Sequence, residues 1–235
     1  MTNKITIILL TYNNIDKTKK CIESLYKYSS NFFLSIRDNG SSDGTKKYLI
    51  QQAVRLRNNV SVTFRNKNDG IIIGRNKDYR ACIEFNKISD YIFFIDNDQT
   101  VSEGWQDSYL EMMKNYDLVG CEAWKMQKNF YPYKRITDPN DSSSYVGVGG
   151  LMIKKEVIDK IGLFDERYAP CYFEDPDFCF TAHQNGFKIG WDSKPVIIHN
   201  HKGPLLSKEN KIHFMNSWKK FQEKWKDFEV PQFPI

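Results

Sequence analysis

The stretch Lys4-Ile-Thr-Ile-Ile-Leu-Leu-Thr-Tyr-Asn-Asn14 decides the fold. From Ile5 to Leu10 apolar and β-branched residues follow one another without the polar alternation of a half-exposed strand. Both faces of such a strand are buried, which is the habit of a parallel sheet covered by helices. Thr11-Tyr12-Asn13-Asn14 then supplies the polar exit turn at its carboxyl end.

The pattern repeats downstream. Asp16 to Tyr28 spaces Ile15, Cys21, Ile22 and Leu25 for one helical face. Phe32 to Arg37 reads as a second strand, and Gly44 to Leu56 as a helix with Tyr48, Leu49 and Ala53 inward. Val60 to Phe64 is a third strand. After the loop Asn66 to Gly70 a helix is predicted through Gly74 to Phe85, and Tyr91-Ile-Phe-Phe-Ile95 is a fully apolar fourth strand. This alternation predicts an α/β fold with a mostly parallel central sheet, right-handed crossovers and helices on both faces. Ligands then bind beyond the carboxyl ends of the strands, where Thr11-Tyr12-Asn13, Asp38 to Gly44, Asn66 to Gly70 and Asp96-Asn97-Asp98 all fall. The second half is less regular: a Ser-rich loop (Asp138 to Ser144), a Gly-rich strand (Val146 to Ile153), a short helix (Lys155 to Ile161) and an acidic helix start at Glu174-Asp175-Pro176-Asp177.

No Pro/Gly/Ser-rich linker divides the 235 residues, so the reading is one domain over 1–207, with a nucleotide-binding half (1–98) and an acceptor half (99–207), and an amphipathic helix and tail (208–235) packed on the same domain. Hydrophobic residues at 40% and aromatics at 14% suit a globular chain. No apolar run reaches spanning length and the five cysteines form no CxxC pair, which predicts a cytoplasmic protein, at most touching the inner face of a membrane. The net charge of +5 is interspersed, without the basic stripe of a nucleic-acid binder.

Asp96-Asn97-Asp98 directly follows a buried strand and offers two carboxylates to a hard cation such as Mg²⁺ or Mn²⁺; a solvated turn uses the same residues. The first strand lacks the GxGxxG of nicotinamide enzymes. Asp38 to Gly44 imitates the start of an EF-hand loop, but its twelfth position is Leu49 rather than Glu.

Taken together, Thr11-Tyr12-Asn13, Asp38-Asn39-Gly40-Ser41-Ser42-Asp43-Gly44-Thr45, Asn68-Asp69-Gly70 with Gly74-Arg75-Asn76, and Asp96-Asn97-Asp98 resemble family 2 glycosyltransferases of the GT-A fold. The resemblance continues through Val148 to Ile153, Ile161 to Glu166 and Phe173 to Cys179, covering about Ile5 to His201. It implies an inverting hexosyltransferase that moves a sugar from a UDP- or dTDP-sugar donor to a hydroxyl acceptor, in surface-glycan or protein glycosylation of bacterial type. Mn²⁺ or Mg²⁺ is the implied cofactor, and the acceptor is a glycan, lipid-linked or protein hydroxyl.

The same resemblance assigns donor contacts to Thr11, Tyr12, Asn13, Asp38, Asn68, Gly70, Arg75, Asp96 and Asn97. Asp38 would accept a pyrimidine imide N–H with Tyr12 against the ring; an Asx-turn and core packing are the plainer uses of the two. Arg75 would reach the diphosphate or hold the Asp96 loop. Asp98 is the principal metal ligand, Asp96 contacts ribose, sugar or metal, and His199, in preference to His201, completes the site. Asp175 is the base, with Glu174 and Asp177 in reserve, although acidic residues also suit a helix start. Gly149, Gly150 and Asp177 fall on the acceptor side. Lys208 to Lys226 aligns Phe214, Trp218, Phe221 and Trp225, a stripe for a membrane surface or for packing on its own domain.

Two competing functions remain. A nucleotidyltransferase would carry a Gly-rich basic loop where Thr11-Tyr12-Asn13-Asn14 stands. The other is a catalytically inactive sugar- or nucleotide-binding module of the same fold, against which the pairing of Asp96/Asp98 with Glu174/Asp175 argues.

Overall fold

A computed structural model describes residues 5–56, 59–194, 196–199 and 207–233. The first half alternates as the apolar runs dictate: β1 (Ile5–Thr11), α1 (Ile15–Tyr28), β2 (Phe32–Asp38), α2 (Thr45–Leu56), β3 (Val60–Phe64), α3 (Ile71–Glu84) and β4 (Tyr91–Asp96). Then come β5 (Gln99–Val101), α4 (Trp105–Met112), β6 (Leu118–Gly120), β7 (Ala123–Met126), β8 (Pro132–Arg135), β9 (Tyr145–Val146), β10 (Leu151–Lys154) and α5 (Lys155–Ile161). The chain closes with α6 (Glu174–Gln184), β11 (Ile189–Trp191), β12 (Ile197–His199) and α7 (Lys208–Trp225).

The central sheet runs β11-β6-β10-β4-β1-β2-β3. Only β10 opposes its neighbours, pairing antiparallel with both β4 and β6. Successive side chains of a strand point to opposite faces. Ile5, Ile7 and Leu9 with Phe93 and Ile95 therefore pack under α1, α2 and α4, while Ile8, Ile92 and Phe94 pack under α3, α5, α6 and α7. Each fully buried aliphatic or aromatic side chain contributes roughly 1.5–3 kcal/mol of transfer free energy, so these paired layers fix the strand register.

That register sets the site. Thr11 lies opposite Asp38 and Leu10 opposite Asp96, so the polar ends of β1, β2 and β4 form one row along the carboxyl edge. β12 pairs antiparallel with β5, with His199 opposite Gln99, and this brings the imidazole next to Asp98.

One expectation is corrected. The segment Val146 to Ile153 is not one strand: β9 joins the antiparallel sheet β8-β7-β9, and a turn through Gly149-Gly150 carries the chain into β10 of the main sheet. Gly150 has φ 82°, where a side chain would be strained, and an added Cβ would meet Cys121 Sγ at 2.5 Å. β12 covers Ile197–His199, so His199 is the last residue of a strand; His201 lies outside the described residues.

The tail packs as a helix on the same domain. Ser207 caps α7, its hydroxyl accepting from Asn210 N–H at 3.1 Å. Phe221 and Trp225 enter the core, and Phe214 and Trp218 pack against it. The aromatic stripe thus packs on this domain, with Phe221 and Trp225 in its interior and Phe214 and Trp218 part-exposed at its edge. Among the described residues no helix is long and apolar enough to cross one.

Candidate active site

A cleft of about 430 Å³ opens at the carboxyl edge of the sheet, with Arg75, Asp96, Gly149, Glu174, Asp175 and His199 in its lining beside Glu122, Trp124, Tyr145 and Tyr172. Arg75, from the second turn of α3, is buried with 3% exposure. It donates from Nη2 to Asp96 Oδ1 at 2.6 Å and lies 3.6 Å from Glu174 Oε1 through Nη1. Arg75 thus holds the loop after β4, one of its two expected roles. Asp96 also rests on Gly149, where an added Cβ would stand 2.5 Å from Asp96 Oδ2. Only glycine permits that approach. The backbone N–H of Asp96 is bound by the fully buried Gln99 at 3.0 Å, so the aspartate is fixed on several sides.

Glu174 and Asp175 open α6, but their surroundings differ. Glu174 is 4% exposed, Oε2 has no hydrogen-bond partner, and burial followed by the neighbouring Asp175 charge holds its carboxyl well above the usual range. Asp175 is part-exposed to the cleft. Its Oδ1 accepts the Val148 N–H at 2.9 Å, and burial, against the opposing pull of Arg75, raises its pKa as well. A reachable carboxylate raised toward neutrality is equipped to take a proton from a hydroxyl.

Asp177 is a correction. It is 3% exposed and lies outside the cleft lining, accepting from Trp225 Nε1 at 2.8 Å, Lys224 Nζ at 2.7 Å and Tyr168 OH at 3.0 Å. With three donors on it, Asp177 anchors α7 and faces away from the cleft rather than into it.

Across the cleft His199 Nε2 stands 3.2 Å from Asp98 Oδ1, and Nδ1 is 3.5 Å from Glu122 Oε1. The Asp98 and Glu122 hydrogen bonds raise the imidazole pKa to about 10. Lys17 Nζ approaches Asp98 Oδ2 at 3.7 Å. No group of three or more protein donors that could hold a metal occurs among the described residues. Asp98 and His199 nevertheless fit a divalent cation whose remaining positions come from a diphosphate and water, because a carboxylate oxygen and an imidazole nitrogen converge at the spacing of adjacent ligands.

The remaining predicted residues build the rim outside that cavity. Asp38 is fully buried, accepting from Ser41 N–H at 3.3 Å and lying 3.4 Å from Thr11 Oγ1, while Tyr12 above it is 45% exposed. Asn13 N–H donates to Ser41 Oγ at 2.7 Å, and Asn13 Oδ1 accepts from Ser42 N–H at 2.9 Å. Asn97 binds the Asn13 carbonyl at 2.9 Å and Thr18 Oγ1 at 3.0 Å. Asn68 Oδ1 accepts from Asn39 Nδ2 at 2.7 Å and from Gly70 N–H at 2.9 Å, and Gly70 packs under Pro170 so closely that a Cβ would meet it at 2.7 Å. These side chains knit the β1, β2, β3 and β4 exit loops into one rim.

The sequence reading missed Glu122, Gln99, Trp124 and Tyr172. Glu122 follows the apolar Leu118-Val-Gly120, the same strand-then-acid signal as Asp96, but a three-residue strand is too short to stand out.

The sheet order, the single reversed strand and the carboxylates on its carboxyl edge define a GT-A type sugar-nucleotide transferase fold. The family model for glycosyl transferase family 2 matches residues 6–181, and the chain belongs to that family. Among curated proteins it is similar to the pre-mycofactocin glycosyltransferase of Mycobacterium tuberculosis, 21% identical over 218 residues, covering 86% of this chain and 43% of that protein. The chain thus spans less than half the length of that relative. Among solved structures it resembles GalNAc-T7 with UDP, GalNAc and Mn²⁺ (TM-score 0.75, 14% identity, 96% of this chain and 48% of that one). It also resembles the mannosyltransferase PcManGT of Pyrobaculum calidifontis with GDP-Man and Mn²⁺ (TM-score 0.71, 12% identity, 98% and 66%).

Proposed function

We propose that this chain is an inverting, divalent-metal-dependent glycosyltransferase that uses a UDP- or dTDP-sugar, with Asp175 as the base. The carrying observation is that a reachable carboxylate of raised pKa, Asp175, shares one cleft with His199, whose imidazole lies 3.2 Å from Asp98 Oδ1. In the reaction Asp175 Oδ2 accepts the proton of the acceptor hydroxyl, and the resulting oxygen bonds to the anomeric carbon. The bond from that carbon to the diphosphate breaks on the opposite face, so configuration inverts. Oδ1 stays on the Val148 N–H and fixes the direction of approach.

Asp98 and His199 would hold Mn²⁺ or Mg²⁺, which supplies charge neutralisation for the departing diphosphate. Arg75 and Glu174 orient Asp96 against the sugar or ribose. Tyr12 would pack against a pyrimidine base and Asp38 would accept its imide N–H, a contact for which the base must displace Asp38's turn contacts with Ser41. GalNAc-T7 was solved with UDP and PcManGT with GDP-Man, so the base preference of this chain rests on Asp38 and Tyr12.

The test is a thermal-shift and calorimetry screen of UDP, dTDP, GDP, CDP and NAD with and without Mn²⁺, on wild type and Asp98→Ala. A ligand that binds the native state raises its melting temperature by mass action. Manganese-dependent stabilisation by UDP or dTDP, lost in Asp98→Ala, is the expected result. Silence toward every diphosphate would overturn the transferase reading in favour of a binding module.

A further inference from the structure

Beyond Asp175 the cleft is walled by Trp124 from β7, by Tyr145 from β9 and by Tyr172, with Asn210 of α7 at its edge. Trp124 and Tyr172 are both part-exposed. Tyr172 and Phe173 adopt consecutive left-handed conformations, φ 74° and 69°, immediately before Glu174. Bulky residues hold such backbone only where surrounding packing enforces it, and such strain concentrates at functional sites. Here it splits the pair: Phe173 enters the core against Phe221 at 5.3 Å, and Tyr172 is left in the cleft with its ring edge on Phe214 at 5.6 Å. Aromatic surface continues outward from that point, since Phe214 contacts Tyr131 at 5.6 Å and Tyr131 contacts Trp218 at 5.3 Å. Tyr131 is 39% exposed and Tyr133, on the same hairpin, 54%.

We infer that Trp124 and Tyr172 form a stacking subsite for a saccharide acceptor, and that the strip from Phe214 to Tyr131 carries the following sugar of an oligosaccharide. This rests on the transferase reading above and deepens it by naming the acceptor class. A pyranose ring has an apolar C–H face and a polar hydroxyl edge. The walls match both, with aromatic faces to cover the C–H groups, and Asn210, Glu122 and Asp175 to meet hydroxyls. The occupant is argued from continuity: Tyr172 lines the cleft beside the proposed base, and ring contacts link it through the part-exposed Phe214 to the exposed Tyr131. A lipid chain would find carboxylates along its path, at a high desolvation cost.

The test uses the full chain with UDP and Mn²⁺ on a printed array of neutral and amino-sugar oligosaccharides, followed by saturation-transfer NMR on each array hit. Anionic phosphatidylglycerol vesicles and a Ser/Thr-rich peptide are the alternative probes. The expected result is saturation transfer to sugar ring C–H protons. The signal should fall about tenfold in Trp124→Ala and Tyr172→Ala and stay within about twofold in Tyr172→Phe, as for the loss and retention of one stacked ring. UDP binding, measured by calorimetry on each variant, must survive; it separates a lost subsite from a lost fold, and Trp124→Ala does so without altering the strained backbone. If UDP binds but no saccharide does, or the peptide or vesicles bind instead, the acceptor assignment is overturned while the transferase reading stands. If UDP itself fails to bind wild type, the underlying reading fails first.

Discussion

Asp175 and Asp177 stand two residues apart in the first turn of α6, where a helix turns them about 200° from one another. One faces the cleft and the other faces α7, and nothing in the string Glu-Asp-Pro-Asp says which. The phase is set by the left-handed backbone of Tyr172 and Phe173, a conformation that sequence propensity would assign to neither residue. What was legible at this scale was an acidic helix start in order with the loops after β1, β2 and β4, within which the proposed base lies. Asp175→Asn keeps the acceptor for the Val148 N–H but removes the proton-accepting oxygen pair. Turnover should fall by about 10²–10⁴ with UDP affinity unchanged, as for loss of a general base. Single-turnover kinetics beside calorimetry checks this, and a drop of less than tenfold would move the base elsewhere. Gly149→Ala should also cost activity, since its Cβ cannot share space with Asp96 Oδ2 at 2.5 Å.

Among the elements, the alternating first half was legible nearly to the residue, because buried parallel strands announce themselves as unbroken apolar runs between polar turns. The second half was not. β10 sits between β4 and β6 through pairings of high sequence separation, and a four-residue strand carries too little periodicity to reveal its neighbours or its direction. The stripe on α7 was visible, but its partner was not: amphipathicity reports that a face is covered and is silent about what covers it. The structure answers through Asp177, whose three donors come from α7 and from Tyr168. Asp177→Ala leaves the Trp225 indole N–H without its acceptor and the Lys224 ammonium with only Asp165 Oδ2 at 3.3 Å. That should destabilise the fold by roughly 1–3 kcal/mol, the cost of leaving a buried donor unsatisfied. Urea unfolding should record the loss. Hydrogen exchange should rise first along Lys208–Trp225 while UDP affinity, per folded molecule, stays near wild type. Loss of UDP binding ahead of α7 protection would instead tie Asp177 to the cleft.

For the molecule as a whole, buried carboxylates outside the cleft determine how stability responds to pH. Asp78 lies under the sheet between α3 and β2, fully buried. Ser35 Oγ donates to its Oδ1 at 3.0 Å, Oδ2 has no partner, and burial raises its pKa to about 7 against the opposing effects of Ser35 and Arg37. The folded chain keeps this proton through a range where the unfolded chain has released it. Stability from Asp78 is therefore complete below its unfolded value near 3.8 and is lost as pH rises through about 7. Asp165 works the other way. Arg167 and Lys224 outweigh its partial burial and hold it at about 2, so its contribution is present above its unfolded value and is lost only in strong acid. Asp78 alone predicts that urea unfolding free energy falls from about pH 5 to about pH 8 by on the order of 2 kcal/mol, with the raised Glu174, Asp175 and His199 adding falls of the same sign. Asp78→Asn should make that fall shallower by Asp78's share, because an amide has no proton to release. Equal slopes in the two proteins would mean that Asp78 is ionised in the fold and compensated by Arg37, making the buried pair an ion pair rather than a neutral acid beside a guanidinium.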